Sequence, residues 1–218
     1  DHVEVAVHRV PELMRTIPNS FCIAYEVPAV ASFVGLRGLG ATVNRVGVIY
    51  RKALQRYVEA QEKLASVERI SFVTEELPEG FELRHVRAAL VRLKMSTVDV
   101  LWLPNDNELL TRDLVANAWV PYLHRLELPV VVGVPSLVRG DMAFGTYGAI
   151  PDPEALAIQA ADLIFEIRDG EWSVAGQRFR LPVSAKTYVS GPFGERFGLR
   201  RARLQTVDVV VDGSVDER

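Results

Sequence analysis

The residues best placed to do chemistry form one short run, Pro104-Asn105-Asp106-Asn107, directly after the apolar run Val98-Asp99-Val100-Leu101-Trp102-Leu103. A carboxylate flanked by two amides offers acceptors and donors to the amine and hydroxyl groups of a small polar ligand. The same residue types also make turns, and with Thr111 just downstream composition alone favours a turn that leads into a helix. Four further polar runs follow apolar ones: Tyr50-Arg51-Lys52, Thr74-Glu75-Glu76, Pro135-Ser136 and Pro151-Asp152. Arg51 and Lys52 could hold an anion near a helix N-terminus. Solvated surface charges are the reading favoured for them. Asp152, followed by Pro153, is a helix cap whatever else it does.

Several reaction classes lack their signatures. There is no GxGxxG after the first strand, no GxxxxGK[ST], no GxSxG and no HExxH. The histidines His2, His8, His85 and His124 show no metal-ligand spacing, and no cofactor is expected. His85 and His124 fall on helical patterns and read as surface or boundary residues. A phospho-acceptor receiver would need acidic residues where Arg51 and Lys52 stand. The chain is therefore read as a binder and not as an enzyme.

The elements that must position these runs alternate. Arg45–Tyr50, Ile70–Val73, Val98–Leu103, Pro129–Val134 and Phe144–Ile150 are short, apolar and β-branched, and read as buried strands. Between them run helical stripes: Leu54 to Ala65, Val86 to Leu93, and Leu114 to Leu126. A last helix starts at the Asp152 cap and stops at Gly170. Such alternation implies an α/β fold, a doubly wound parallel sheet in the flavodoxin-like order 2-1-3-4-5. In such a sheet ligands sit at the carboxyl ends of the strands, which is where the five polar runs lie. The expected organisation is residues 1–27 as a crossover or first-lobe remnant, 28–170 as a Rossmann-like α/β lobe, and 171–218 as a C-terminal hairpin and return segment. Val3–Val7 and Phe21–Val27 read as strands, 29–39 as a helix weakened by Gly35 and Gly38, Glu171–Leu181 as a hairpin, and Val207–Val211 as a last strand.

Composition bounds the rest. The 218 residues are 49% apolar and 24% charged, enough to bury a core. A net charge of −3 carries no basic surplus for nucleic acid. Cys22 stands alone, excludes an intrachain disulfide, and reads as a small buried hydrophobe. No apolar stretch approaches the roughly 18 residues that span a bilayer. Asp1 is preceded by no visible signal peptide, which reads as a processed or trimmed chain.

Taken in series, the motifs resemble the ABC transporter substrate-binding proteins whose better-known members take aromatic amino acids. The resemblance rests on Asn44–Tyr50, on Val98–Leu103 with its Pro104-Asn105-Asp106-Asn107 turn, and on Leu128-Pro129-Val130 through Ser136-Leu137-Val138-Arg139-Gly140. Gln159-Ala160-Ala161, Asp169-Gly170-Glu171 and the approach Ile23-Ala24-Tyr25-Glu26-Val27-Pro28 extend it, so that it runs from about residue 20 to 172. It implies the second lobe of a type I periplasmic-binding fold, with most of the first lobe absent. It also implies an extracytoplasmic location and a small ligand passed to an ABC permease. The ligand-binding positions it points to, together with the strand-tip rule, are Tyr25, Tyr50, Asn105, Asp106, Asn107, Ser136 and Asp152. Two positions depart from the family pattern. Asp152 is followed by Pro153 and Glu154 where an aromatic is usual, and Arg51-Lys52 replaces small polar residues. A second expectation follows: a non-transporting relative acting as an interaction or assembly module of a cell-envelope complex, with a homo-oligomer covering what the first lobe leaves open.

Overall fold

The computed structural model describes residues 17, 19–174 and 179–212. The chain divides into two compact units, Asp1–Val27 with Ile150–Lys186, and Pro28–Ala149 with Thr187–Arg218. The expected strand Val3–Val7 lies outside the described residues.

The second unit carries the main sheet. Its chain order is helix α1 (Ala29–Gly38), strand β2 (Arg45–Arg51), α2 (Gln55–Ser66), β3 (Ser71–Leu77), α3 (Leu83–Met95) and β4 (Val100–Trp102). There follow α4 (112–126), β5 (Val130–Val131) and β6 (Tyr147–Pro151). After the excursion into the first unit come β8 (Ala185–Ser190), α6 (Gly191–Arg196) and β9 (Val209–Val211). The sheet runs β3-β2-β4-β5-β6-β8-β9. Its first five strands are the expected 2-1-3-4-5 order. The two strands added beyond them are β8, which the sequence did not reveal, and the read strand Val207–Val211, shortened to β9. The pairs β2–β3, β2–β4, β4–β5, β5–β6 and β8–β9 are all parallel.

The period-two alternation of β2 builds two cores on opposite faces of this sheet. Val46, Val48 and Tyr50 face one side, with Trp102, Val131 and Tyr147, and meet Ala29, Phe33 and Leu36 of α1 and Val58 and Ala65 of α2. Ile49 faces the other, with Leu101, Leu103 and Val130, and meets Val86, Leu90 and Leu93 of α3 and Leu114, Trp119 and Leu123 of α4. Buried on both faces, these strands read as near-continuous apolar runs, as parallel sheets must. α1 follows Pro28, which cannot cap with its side chain. The buried Gln61 of α2 does so instead, its Oε1 accepting from the Ala29 N–H at 2.9 Å. α4 holds a π-helical turn, Val115–Trp119. The turn swings Trp119 inward, where its indole N–H donates to the Leu109 carbonyl at 2.6 Å.

The first unit is smaller. Its helix α5 (Pro153–Asp169) starts on Asp152, whose Oδ1 accepts from the Glu154 N–H at 3.1 Å. Gly170 caps its end. The expected 21–27 strand is reduced to β1 (Cys22–Ile23). Its partner is β7 (Phe179–Arg180), in parallel register. Within 171–181 that pairing is the extended structure described, and 171–172 form a turn instead. Cys22 is half-buried, not buried, and burial pushes its thiol pKa up.

Candidate functional site at the carboxyl ends of the strands

β2 lies between β3 and β4, so the sheet changes direction of winding between β2 and β4. In sheets of this topology ligands sit at the carboxyl ends of the strands that flank such a switch point. Arg51 ends β2, and Asp106 follows β4 by four residues. They meet there. The Arg51 Nε donates to Asp106 Oδ2 at 2.7 Å and its Nη2 donates to Oδ1 at 2.8 Å. The third guanidinium nitrogen, Nη1, is paired with the Glu108 carboxylate.

The Asp106 side chain is 1% exposed and that of Arg51 15%, so this is a two-pronged ion pair largely removed from water. Burial alone would lower the arginine pKa. The Asp106 hydrogen bond and the charges of Asp106 and Glu108 outweigh that and raise it. Asp106 also organises its own loop. Its Oδ1 accepts from the Glu108 N–H at 3.0 Å, and its carbonyl accepts from the N–H groups of Leu109 and Leu110. Thr111 then caps α4, its hydroxyl accepting from the Leu114 N–H at 3.3 Å.

The turn favoured from composition is therefore present. The surface-charge reading of Arg51 is corrected: its side chain is largely buried, as the counter-ion that the buried Asp106 carboxylate needs. Sequence reasoning also passed over Glu108. The signal was available, because a 2-1-3 order sets the tips of the first and third strands side by side.

The other predicted positions are distributed as follows. Tyr50, 8% exposed, donates from its hydroxyl to a Glu76 oxygen at 3.4 Å; burial, then the Glu76 charge, raises its pKa. Asn105 is half-buried and donates to the Gly133 carbonyl at 3.4 Å. A Cβ on Gly133 would stand 3.2 Å from the Asn105 carboxamide carbon, so a glycine lets this side chain lie across the tip of β5. Asn107 is exposed, and so is Ser136 in the short turn Pro135–Leu137. These four residues and Asp106 belong to the second unit. Tyr25, 49% exposed, and Asp152 belong to the first. Asp152 pairs with Lys186 of its own unit at 3.1 Å. That hydrogen bond, with those from the Glu154 and Ala155 N–H groups, lowers its pKa against the opposing effect of desolvation.

An open polar groove of about 520 Å³ lies at the opposite, amino ends of the strands, lined among others by Thr42, Asp99, Glu127 and Arg196. Its polar groups tie loops together. Asp99 accepts from the N–H groups of Asn44 and Arg45 at 2.8 and 2.9 Å, and Arg196 donates to the His124 carbonyl at 2.7 Å. Among the described residues no group of three or more His, Cys, Asp or Glu side chains is placed to hold a metal ion.

No protein-family model and no curated protein matches this sequence. Solved structures do. A ligand-free, open substrate-binding protein with adhesive properties from Clostridium difficile superimposes with a TM-score of 0.64 at 17% identity, over 88% of this chain and 62% of its own. A conserved domain protein from Vibrio cholerae gives 0.61 at 17%, over 87% and 62%. An ABC domain in complex with L-Trp from Streptococcus pneumonia gives 0.59 at 16%, over 87% and 63%. The fold is thus that of the substrate-binding proteins the sequence resembles, and this chain spans a little over three-fifths of their length.

Proposed function

We propose that this chain is the binding lobe of an extracytoplasmic solute-binding protein of an ABC importer, or of a close relative. It takes a small polar ligand at the carboxyl ends of its parallel strands. The observation that carries the reading is the gathering of Tyr50, Arg51, Asn105, Asp106 and Asn107 at the β2–β4 switch point of a fold shared with substrate-binding proteins. Binding, and not catalysis, suits a strand-tip site whose one buried carboxylate is already neutralised. Among the described residues no helix is long and apolar enough to cross a membrane.

The test is thermal unfolding of the purified protein against amino acids and small anions. A ligand that binds only the folded state raises the melting temperature with dose, by about 2.7 kcal/mol of stabilisation at a hundredfold excess over its Kd. Asn107→Ala and Ser136→Ala alter exposed side chains, and should weaken the rise while leaving the ligand-free melting temperature in place. A flat response across the panel would sink this reading.

A second reading, an interaction module that no longer transports, is favoured by one feature of the first unit. Ile158, Ile164 and Phe165 of α5 and Trp172 after it are all more than half exposed. Apolar side chains so concentrated mark contact surfaces. Sedimentation velocity across a concentration series separates the readings: self-association lost in Phe165→Glu supports the module.

A further inference from the structure

We propose that Arg51 sets the specificity of the switch-point site by acting as a built-in occupant. Its guanidinium fills the cation position on Asp106, so a ligand bound at these strand tips brings no ammonium or guanidinium group to that carboxylate. The inference deepens the solute-binding reading above and rests on it for its relevance to function. Three observations carry it. Both Asp106 oxygens are taken, Oδ2 by Arg51 Nε and Oδ1 by Arg51 Nη2 and the Glu108 N–H. The carboxylate is 1% exposed, so no face remains for a second cation. The pair stands at the β2–β4 switch point, where this sheet topology places a ligand.

A carboxylate held this deep, on a loop that it organises itself, is a strong receptor for a flat, two-pronged cation. The chain supplies that cation from the neighbouring strand. Glu108 takes the remaining guanidinium nitrogen, and its side chain is 53% exposed. The switch point therefore presents to solvent the half-exposed carboxylate of Glu108, while Asp106 is closed. The ligand class that fits is a polar solute whose recognition does not depend on a cation held at Asp106. Free amines and guanidines are turned away at Asp106.

The experiment removes the occupant and offers it back. Arg51→Ala leaves a guanidinium-sized space against a buried carboxylate. Thermal unfolding of wild type, Arg51→Ala and Arg51→Ala/Asp106→Asn is followed with millimolar methylguanidinium against equal sodium chloride. The expected result is a saturable rise in melting temperature for Arg51→Ala alone. If Arg51→Ala does not fold unaided, circular dichroism reads whether methylguanidinium folds it, while leaving the double variant unchanged. A folded Arg51→Ala with no saturable rise, an unfolded one that stays unfolded, or an equal rise in wild type each overturns the proposal. The probe needs no natural ligand. A negative solute panel on wild type would thus sink the solute reading alone, and absent rescue would sink this inference alone.

Discussion

Gly35 of α1 lies so close beneath Tyr147 of β6 that a Cβ on it would stand 2.2 Å from the tyrosine hydroxyl oxygen and 2.8 Å from Cζ. The glycine that weakens the helical reading of 29–39 is therefore the reason the helix can seat on the sheet. Gly35→Ala gains about 1 kcal/mol of helix propensity. It meets an overpacking cost of about 1–3 kcal/mol. Net loss of stability is expected in urea unfolding, partly relieved when Tyr147→Phe removes the nearest atom.

Tyr147 also sets an alkaline limit. It is 3% exposed, and burial, helped by the Asp208 charge, pushes its hydroxyl up to about 12. A tyrosine ionises near 10 in an unfolded chain, so the folded state favours the protonated form. That contribution is fully present below about pH 10 and is lost as pH rises toward 12, and it is worth on the order of 2 kcal/mol. Urea midpoints of wild type should fall across this window. Those of Tyr147→Phe should fall less steeply, and equal slopes would remove Tyr147 as the cause.

The Arg51–Asp106 pair should behave as one unit under mutation. Removing either partner strands a charge at the switch point and is expected to cost about 3–5 kcal/mol. Removing both, as Arg51→Met/Asp106→Leu, should cost much less than the sum of the singles. A double-mutant cycle in denaturant measures this coupling, and simple additivity would mean that the two charges do not depend on each other.

Asp152 separates capping from ion pairing. Asp152→Ala loses the bond to the Glu154 N–H, worth about 1 kcal/mol in a helix cap. Asp152→Asn keeps a capping oxygen and loses the charge that Lys186 faces. Because its folded pKa is lowered, the carboxylate stabilises the fold above its unfolded value, and this is lost as pH falls through the folded one. Wild type should therefore be more stable than Asp152→Asn near neutral pH, and the two acid unfolding curves should converge as pH falls through the folded pKa.

Much of the architecture was legible because apolar spacing is a local record of burial. Val46, Val48 and Ile49 marked a strand sealed on both faces, and Leu114, Ala118 and Leu123 marked a helix stripe. Asp152 and Gly170 bounded α5 at the two positions expected. Shorter features did not declare themselves. The Gly191–Arg196 helix hides in a glycine-rich stretch, and β8 lacks a run of β-branched residues. The Val115–Trp119 π turn leaves the same apolar stripe as an α-helix, so spacing cannot reveal it.

By itself, the sequence determined the class of fold, the order of the first five strands and the polar runs at the ends of β2, β4, β5 and β6; the run Thr74-Glu75-Glu76, expected after its strand, lies instead within β3 (Ser71–Leu77), because the ladder with β2 continues through it. Periodicity and the right-handed crossover give the doubly wound class, and the 2-1-3-4-5 order is one of its two common forms. Only the tertiary structure decided what the polar residues do. Arg51 and Asp106 are 55 positions apart, and each reads alone as a surface charge or a turn former. Folding sets their strand tips side by side, and a carboxylate drawn out of water must find a cation, which this chain provides from its own backbone neighbour strand.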